Sequence, residues 1–107
     1  MRLAMATAAQ VVFSHITKNP RVCGGKACID NTRIRVMDIV QLQREGKKPE
    51  EMRSVFAVQL TLAQIYSALA YADENPAEIE ADFARDEEVV EQIERDRAEF
   101  SKRRSER

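Results

Sequence analysis

The tightest constraint on this chain lies between Val22 and Val36, where two of its three glycines, both cysteines and an Asp-Asn pair fall together. Gly24 and Gly25 give the backbone access to positive φ, and Asp30-Asn31 are the non-glycine residues that best tolerate a tight turn. After that turn Thr32, Ile34 and Val36 alternate with Arg33 and Arg35. The alternation predicts a strand with one buried and one solvated face, from which both arginines project outward together. Val11 to Ile16 is a short apolar run that Asn19-Pro20 stops, so a first strand is expected there, with His15 as a partly buried strand residue. Two or three short strands do not stand alone in water; helices must cover them.

The helices follow at once. From Val36 the apolar period changes: Val36, Ile39, Val40 and Gln43 share a face with Leu42 beside them, Asp38 suits the first turn, and Gly46 supplies the stop. Lys48-Pro49-Glu50-Glu51 opens a second helix, expected to reach about Phe56 with Met52, Val55 and Phe56 inward. A third begins at Thr61, where Thr61 and Gln64 form a capping box; its stripe is Leu62, Ile65, Tyr66, Leu69 and Ala72, and Asn75-Pro76 ends it. Beyond Pro76 a long charged helix runs to about Arg97 or further. Ile79, Phe83, Val90, Ile93 and Phe100 fall on a four-three alternation whose remaining slots are Asp86 and Arg97, a coiled-coil seam interrupted twice. Such a helix needs a partner to hold it.

These elements predict an α+β, mainly α fold: a short N-terminal β-hairpin packed on a helix-turn-helix-like (winged-helix-like) three-helix bundle, with a long charged C-terminal helix. At 107 residues the chain holds one core. Residues 1–10 read as a mobile leader, 11–75 as the hairpin and helix-turn-helix-like domain, and 76–107 as a charged helix and tail that binds a partner. The leader imitates a secretory signal, but its apolar stretch is too short, and no segment reaches transmembrane length. A cytoplasmic protein with no membrane contact and with reduced cysteines is expected.

Net charge is −1, but its distribution is uneven. Residues 1–35 carry six basic side chains against one acid, residues 36–76 four against six, and residues 77–107 seven against eleven. A basic front and an acidic rear fit two different partners. Lys18, Arg21, Lys26, Arg33 and Arg35 are the candidates for phosphate contact, while Thr61, Gln64 and Ser67 stand where a second helix of a helix-turn-helix meets base edges. The alternatives are a solvated face and a plain structural helix pair. No enzyme is expected, because there is no nucleophile with a matching base and no phosphate-cradling loop beyond Gly24-Gly25. One histidine and a C-x-x-x-x-C pair fall short of a zinc site, and Glu87, Glu88 and Glu91 are most simply solvated acids, so neither metal nor cofactor is called for.

The order of features from Ile16 to Asp73 resembles a bacterial family known as domain of unknown function family 433. The pattern is carried by His-Ile-Thr-Lys-Asn-Pro (15–20), Gly-Gly-Lys-Ala-Cys-Ile (24–29), Asn-Thr-Arg-Ile-Arg-Val (31–36) and Ala-Leu-Ala-Tyr-Ala (68–72). It departs at Ala27, where the family tends to have proline, and at Asn31, where it tends to have glycine. The resemblance implies a strand-hairpin domain and a helix-turn-helix-like bundle, usually dimeric. It also implies the antitoxin of a two-gene module whose partner is a PIN-like nuclease encoded next door, and it supplies no catalytic residues. On that reading the front of the chain binds operator DNA as a homodimer and the acidic helix covers the nuclease. Phe83, Val90, Ile93 and Phe100 then make the contact, with Arg95, Arg97, Arg103 and Arg104 as candidates to pair with metal-binding carboxylates. The competing readings are a stand-alone DNA-binding regulator with a dimerising C-terminal helix, and a structural dimerisation module.

Overall fold

A computed structural model describes residues 13–106; the expected leader lies outside them. The chain divides into two compact units, one ending at Glu74 and the other beginning at Asn75. In the first unit β1 (Ile16–Thr17) pairs antiparallel with β2 (Cys28–Ile29), Ile16 opposite Ile29 and Thr17 opposite Cys28. A 3-10 turn at Cys23–Gly25 separates them. Three helices follow, α1 (Val36–Arg44), α2 (Pro49–Met52) and α3 (Leu62–Glu74), and α4 (Pro76–Ser105) makes up the second unit. The architecture is mainly helical with a small antiparallel hairpin.

The hairpin differs from the sequence expectation in two ways. The first strand begins only at Ile16, because His15 adopts φ +68° and turns the chain before it; His15 is an exposed turn residue, not a strand residue. Val11 and Val12 lie outside the described residues. The expected strand through Thr32–Val36 does not form either. After β2 the chain turns at Asp30 (φ +43°) and Asn31 (φ +58°) and returns with only an isolated bridge, Cys28 to Arg35. Two bonds hold the returning limb, Ile29 N–H to the Ile34 carbonyl at 2.9 Å and Val36 N–H to the Ala27 carbonyl at 2.9 Å. Val36 is already helical, so the alternation is cut off before it can extend, and Arg33 and Arg35 part company: Arg33 is exposed and Arg35 half-buried.

Each of the first three helices starts by the same device, a side chain three residues on that accepts from the backbone N–H at the cap. Asp38 accepts from Arg35 N–H at 2.9 Å, Glu51 from Lys48 N–H at 2.8 Å and Gln64 from Thr61 N–H at 2.8 Å. At α3 the reciprocal bond, Gln64 N–H to Thr61 Oγ1 at 3.1 Å, completes the capping box. Helix α1 ends in a Schellman motif: Gly46 at φ +91° donates to the Gln43 carbonyl at 3.0 Å and Lys47 to the Leu42 carbonyl at 3.0 Å. Helix α2 stops at Met52, a turn short of Phe56, so Met52 is buried, Phe56 half-buried and Val55 exposed.

The core of the first unit lies between the hairpin and the helices. Ile29, Val36, Ile39, Met52, Leu60 and Ile65 are fully enclosed. Helix α1 packs chiefly on α3, α2 also rests on α3, and β1 reaches α3. The Phe13 ring meets Tyr71 edge-on at 5.2 Å between centroids. Tyr66, expected in the stripe, is exposed, and Ala68 is buried in its place. In α4 burial is confined to Ile79 and Asp82, and from Glu87 to Glu106 every residue is exposed.

Candidate functional site

Among the basic residues of the front, Lys18, Arg21 and Arg33 are exposed and Lys26 is half-buried. Arg35 has a structural task. Its guanidinium grips Asp38 through Nη2 to Oδ1 at 2.9 Å and Nε to Oδ2 at 3.2 Å, a two-pronged pair at the start of α1.

The polar front of α3 is also tied down. Gln64 gives its oxygen to the cap, and its Nε2 donates to Asp30 Oδ2 at 2.8 Å. His15 Nδ1 meets the same carboxylate oxygen at 2.8 Å, and Asp30 N–H donates to the His15 carbonyl at 2.8 Å. Thr17 Oγ1 accepts from Asn31 N–H at 2.8 Å. The Gln64 amide first, and His15 after it, hold the Asp30 carboxyl below the usual carboxylate range. A left-handed turn is thus clamped onto a helix start. Thr61 is exposed and Ser67 half-buried, and no charged residue occurs from Ser54 to Ala72. The Asp30–Gln64 and His15–Asp30 contacts escaped sequence reasoning, since no periodicity links residues 34 and 15 positions apart.

Both cysteines are free thiols. Cys28 is buried in β2, and burial first, with the adjacent Cys23 after it, pushes its thiol up to about 12. Cys23 sits in the 3-10 turn at φ +50°, its Sγ 3.6 Å from the Arg33 carbonyl.

Helix α4 presents a different surface. Val90, Ile93 and Phe100 are 52%, 50% and 59% exposed, and Val89, which lies off the four-three seam, is 57% exposed. Phe83 is half-buried. The Arg104 guanidinium lies 5.8 Å from the centre of the Phe100 ring. Arg95 bonds Gln92 Oε1 at 2.7 Å and Arg103 bonds Glu99 Oε1 at 3.0 Å, both along their own helix, while Arg97 is exposed on the seam. The arrangement is a long helix along which Val90, Ile93 and Phe100 of one seam face water. No helix among the described residues is long and apolar enough to cross a membrane.

No curated protein matches this chain. A solved structure does: the crystal structure of a DUF433 member protein from Anabaena variabilis is 32% identical, with 77% of each chain covered and a TM-score of 0.60. The model of the family described as "Protein of unknown function (DUF433)" matches residues 16–72, from the first strand through nearly all of α3. With more than half its length matched, the chain belongs to the DUF433 family.

Proposed function

We propose that this chain is an antitoxin-type binding protein, with α4 as the arm that covers a PIN-like nuclease and the first unit as a contact for operator DNA. The observation that carries the reading is the row of exposed apolar residues on α4, Val90, Ile93 and Phe100, which share the four-three seam and so form one face that a partner can cover. Charge supports it: Glu78 to Glu94 carries eight acids and one arginine, a strip suited to the basic surface with which such a nuclease holds RNA. The tail from Arg95 turns basic, and Arg97 and Arg104 are its candidates to pair with metal-binding carboxylates.

For DNA the support lies in the exposed Lys18, Arg21 and Arg33 more than in the front of α3, where Gln64 is engaged and no charge is present. Contact through these residues is to phosphate, hence salt-dependent and weakly selective. The same observation favours the second reading, a stand-alone DNA-binding regulator. The test is co-expression of the full chain with a PIN-like nuclease encoded beside it. Cells grow with the wild-type chain, and Ile93→Asp together with Phe100→Asp abolishes protection while leaving the chain folded. Protection that survives both substitutions refutes the role of α4.

A further inference from the structure

We infer that, in the chain alone, the exposed face of α4 is covered by α4 of a second copy running antiparallel, in the register that sets Asp86 of each copy against Arg97 of the other. The sites Phe83, Asp86, Val90, Ile93, Arg97 and Phe100 are spaced by steps of three and four that read the same in both directions. An antiparallel copy therefore lays every site level with a site: Phe83 with Phe100, Asp86 with Arg97, and Val90 with Ile93, each pair occurring twice. The apolar residues meet apolar residues. The two charges that interrupt the seam meet each other, and opposite charges at inward positions fix register and orientation.

The charge order along the helix points to the same occupant. Glu78 to Glu94 holds eight acids against one arginine, and Arg95 to Glu106 holds five basic residues against three acids. Antiparallel pairing lays the acidic half on the basic half; parallel pairing sets Asp86 on Asp86 and Arg97 on Arg97. One kind of like-charge contact remains, Glu87 beside Glu94 of the second copy, and it too occurs twice. Val90, Ile93 and Phe100 are at least half exposed and from Glu87 onward the helix has no buried residue, so the face is open there, while Phe83 and Asp86 are half-buried. The pairing uses the seam that the antitoxin reading gives to the nuclease, so the two occupants exclude each other, and it is tested without the nuclease.

Sedimentation equilibrium on the full-length chain reads the association directly. The wild type is expected to dimerise, Arg97→Glu and Asp86→Arg each to weaken the dimer by about ten-fold or more, and the double exchange to restore it. Only the antiparallel register yields that rescue, because in a parallel pair each single change replaces one like-charge contact with another. Should Asp86→Arg fail to fold, Ile93→Asp at an exposed site carries the test and must give a monomer. A monomeric wild type, a double exchange no tighter than the single ones, or a dimer that survives Ile93→Asp overturns the pairing. A wild type that is monomeric alone yet still neutralises the nuclease overturns it and leaves the antitoxin reading standing.

Discussion

Ile39, Met52, Leu60 and Ile65 in the first unit are fully enclosed, while Val90, Ile93 and Phe100 in α4 stand half exposed or more. The same residue types thus do opposite work. In the first unit, short helices lie against one another and a small hairpin, so a core closes within the chain, although Val58 and Tyr66 stay at the surface. In α4, thirty residues run in one helix, and beyond Ile79, Asp82 and the half-buried Phe83 and Asp86 its described residues from Glu87 onward lie exposed. Apolar residues alone do not make a core; a core needs a second surface. Where the first unit supplies that surface for its enclosed residues, the described residues of α4 from Glu87 onward have none.

The sharpest way to break this comparison is to truncate one residue of each kind. Ile65→Ala opens a cavity in an enclosed site and is expected to cost about 2–5 kcal/mol in urea unfolding. Ile93→Ala, measured at concentrations where the chain is monomeric, is expected to change stability by about 0.5 kcal/mol or less while weakening self-association. Equal effects would erase the distinction between the two units.

A smaller effect is expected at the start of α3. Thr61→Ala removes the cap oxygen that takes the Gln64 N–H and is expected to cost about 1 kcal/mol. Gln64→Ala removes the reciprocal bond and also frees the Asp30 carboxyl to move up toward its ordinary range. Because the folded state depresses the Asp30 pKa, its contribution is present above the ordinary carboxylate pKa and is lost as pH falls through the depressed one. The urea midpoint of the wild type should therefore fall more steeply on acidification than that of Gln64→Ala. Parallel acid profiles would show that the clamp contributes nothing.

Much of this was legible in the sequence. The Asp30-Asn31 turn, the Gly46 stop, the Thr61–Gln64 capping box and the long helix after Pro76 are each specified by residues within a few positions of one another. What failed depended on competition between neighbouring elements. The Thr32–Val36 alternation reads as a strand in isolation, but Arg35 is committed to capping α1 through Asp38, so the helix begins where the strand was expected to continue. The His15–Asp30–Gln64 cluster joins three separate elements and leaves no local signal. On α4 the seam was visible in the spacing, whereas its exposure could be established only from the structure.

The two cysteines give a chemical version of the contrast between buried and open sites. Cys28, held as a thiol by burial, is expected to resist alkylation near neutral pH in the folded chain, while the half-buried Cys23 labels first. Mass spectrometry of a short maleimide pulse reads the order, and equal labelling would mean that the hairpin opens readily. The smallest effect is expected on α4, where Glu94→Lys turns the one kind of like-charge contact of the paired helices into an opposite-charge contact. A dimer a few-fold tighter by sedimentation would sharpen the register, and a weaker one would move it.

Hydrogen exchange along α4 at a series of protein concentrations tests the central claim most directly. The paired account predicts that backbone amides from Glu87 to Phe100 are protected at high concentration and lose protection on dilution, while those of α1 and α3 stay unchanged. Protection across that segment that does not vary with concentration would contradict the claim that a second chain is what holds it.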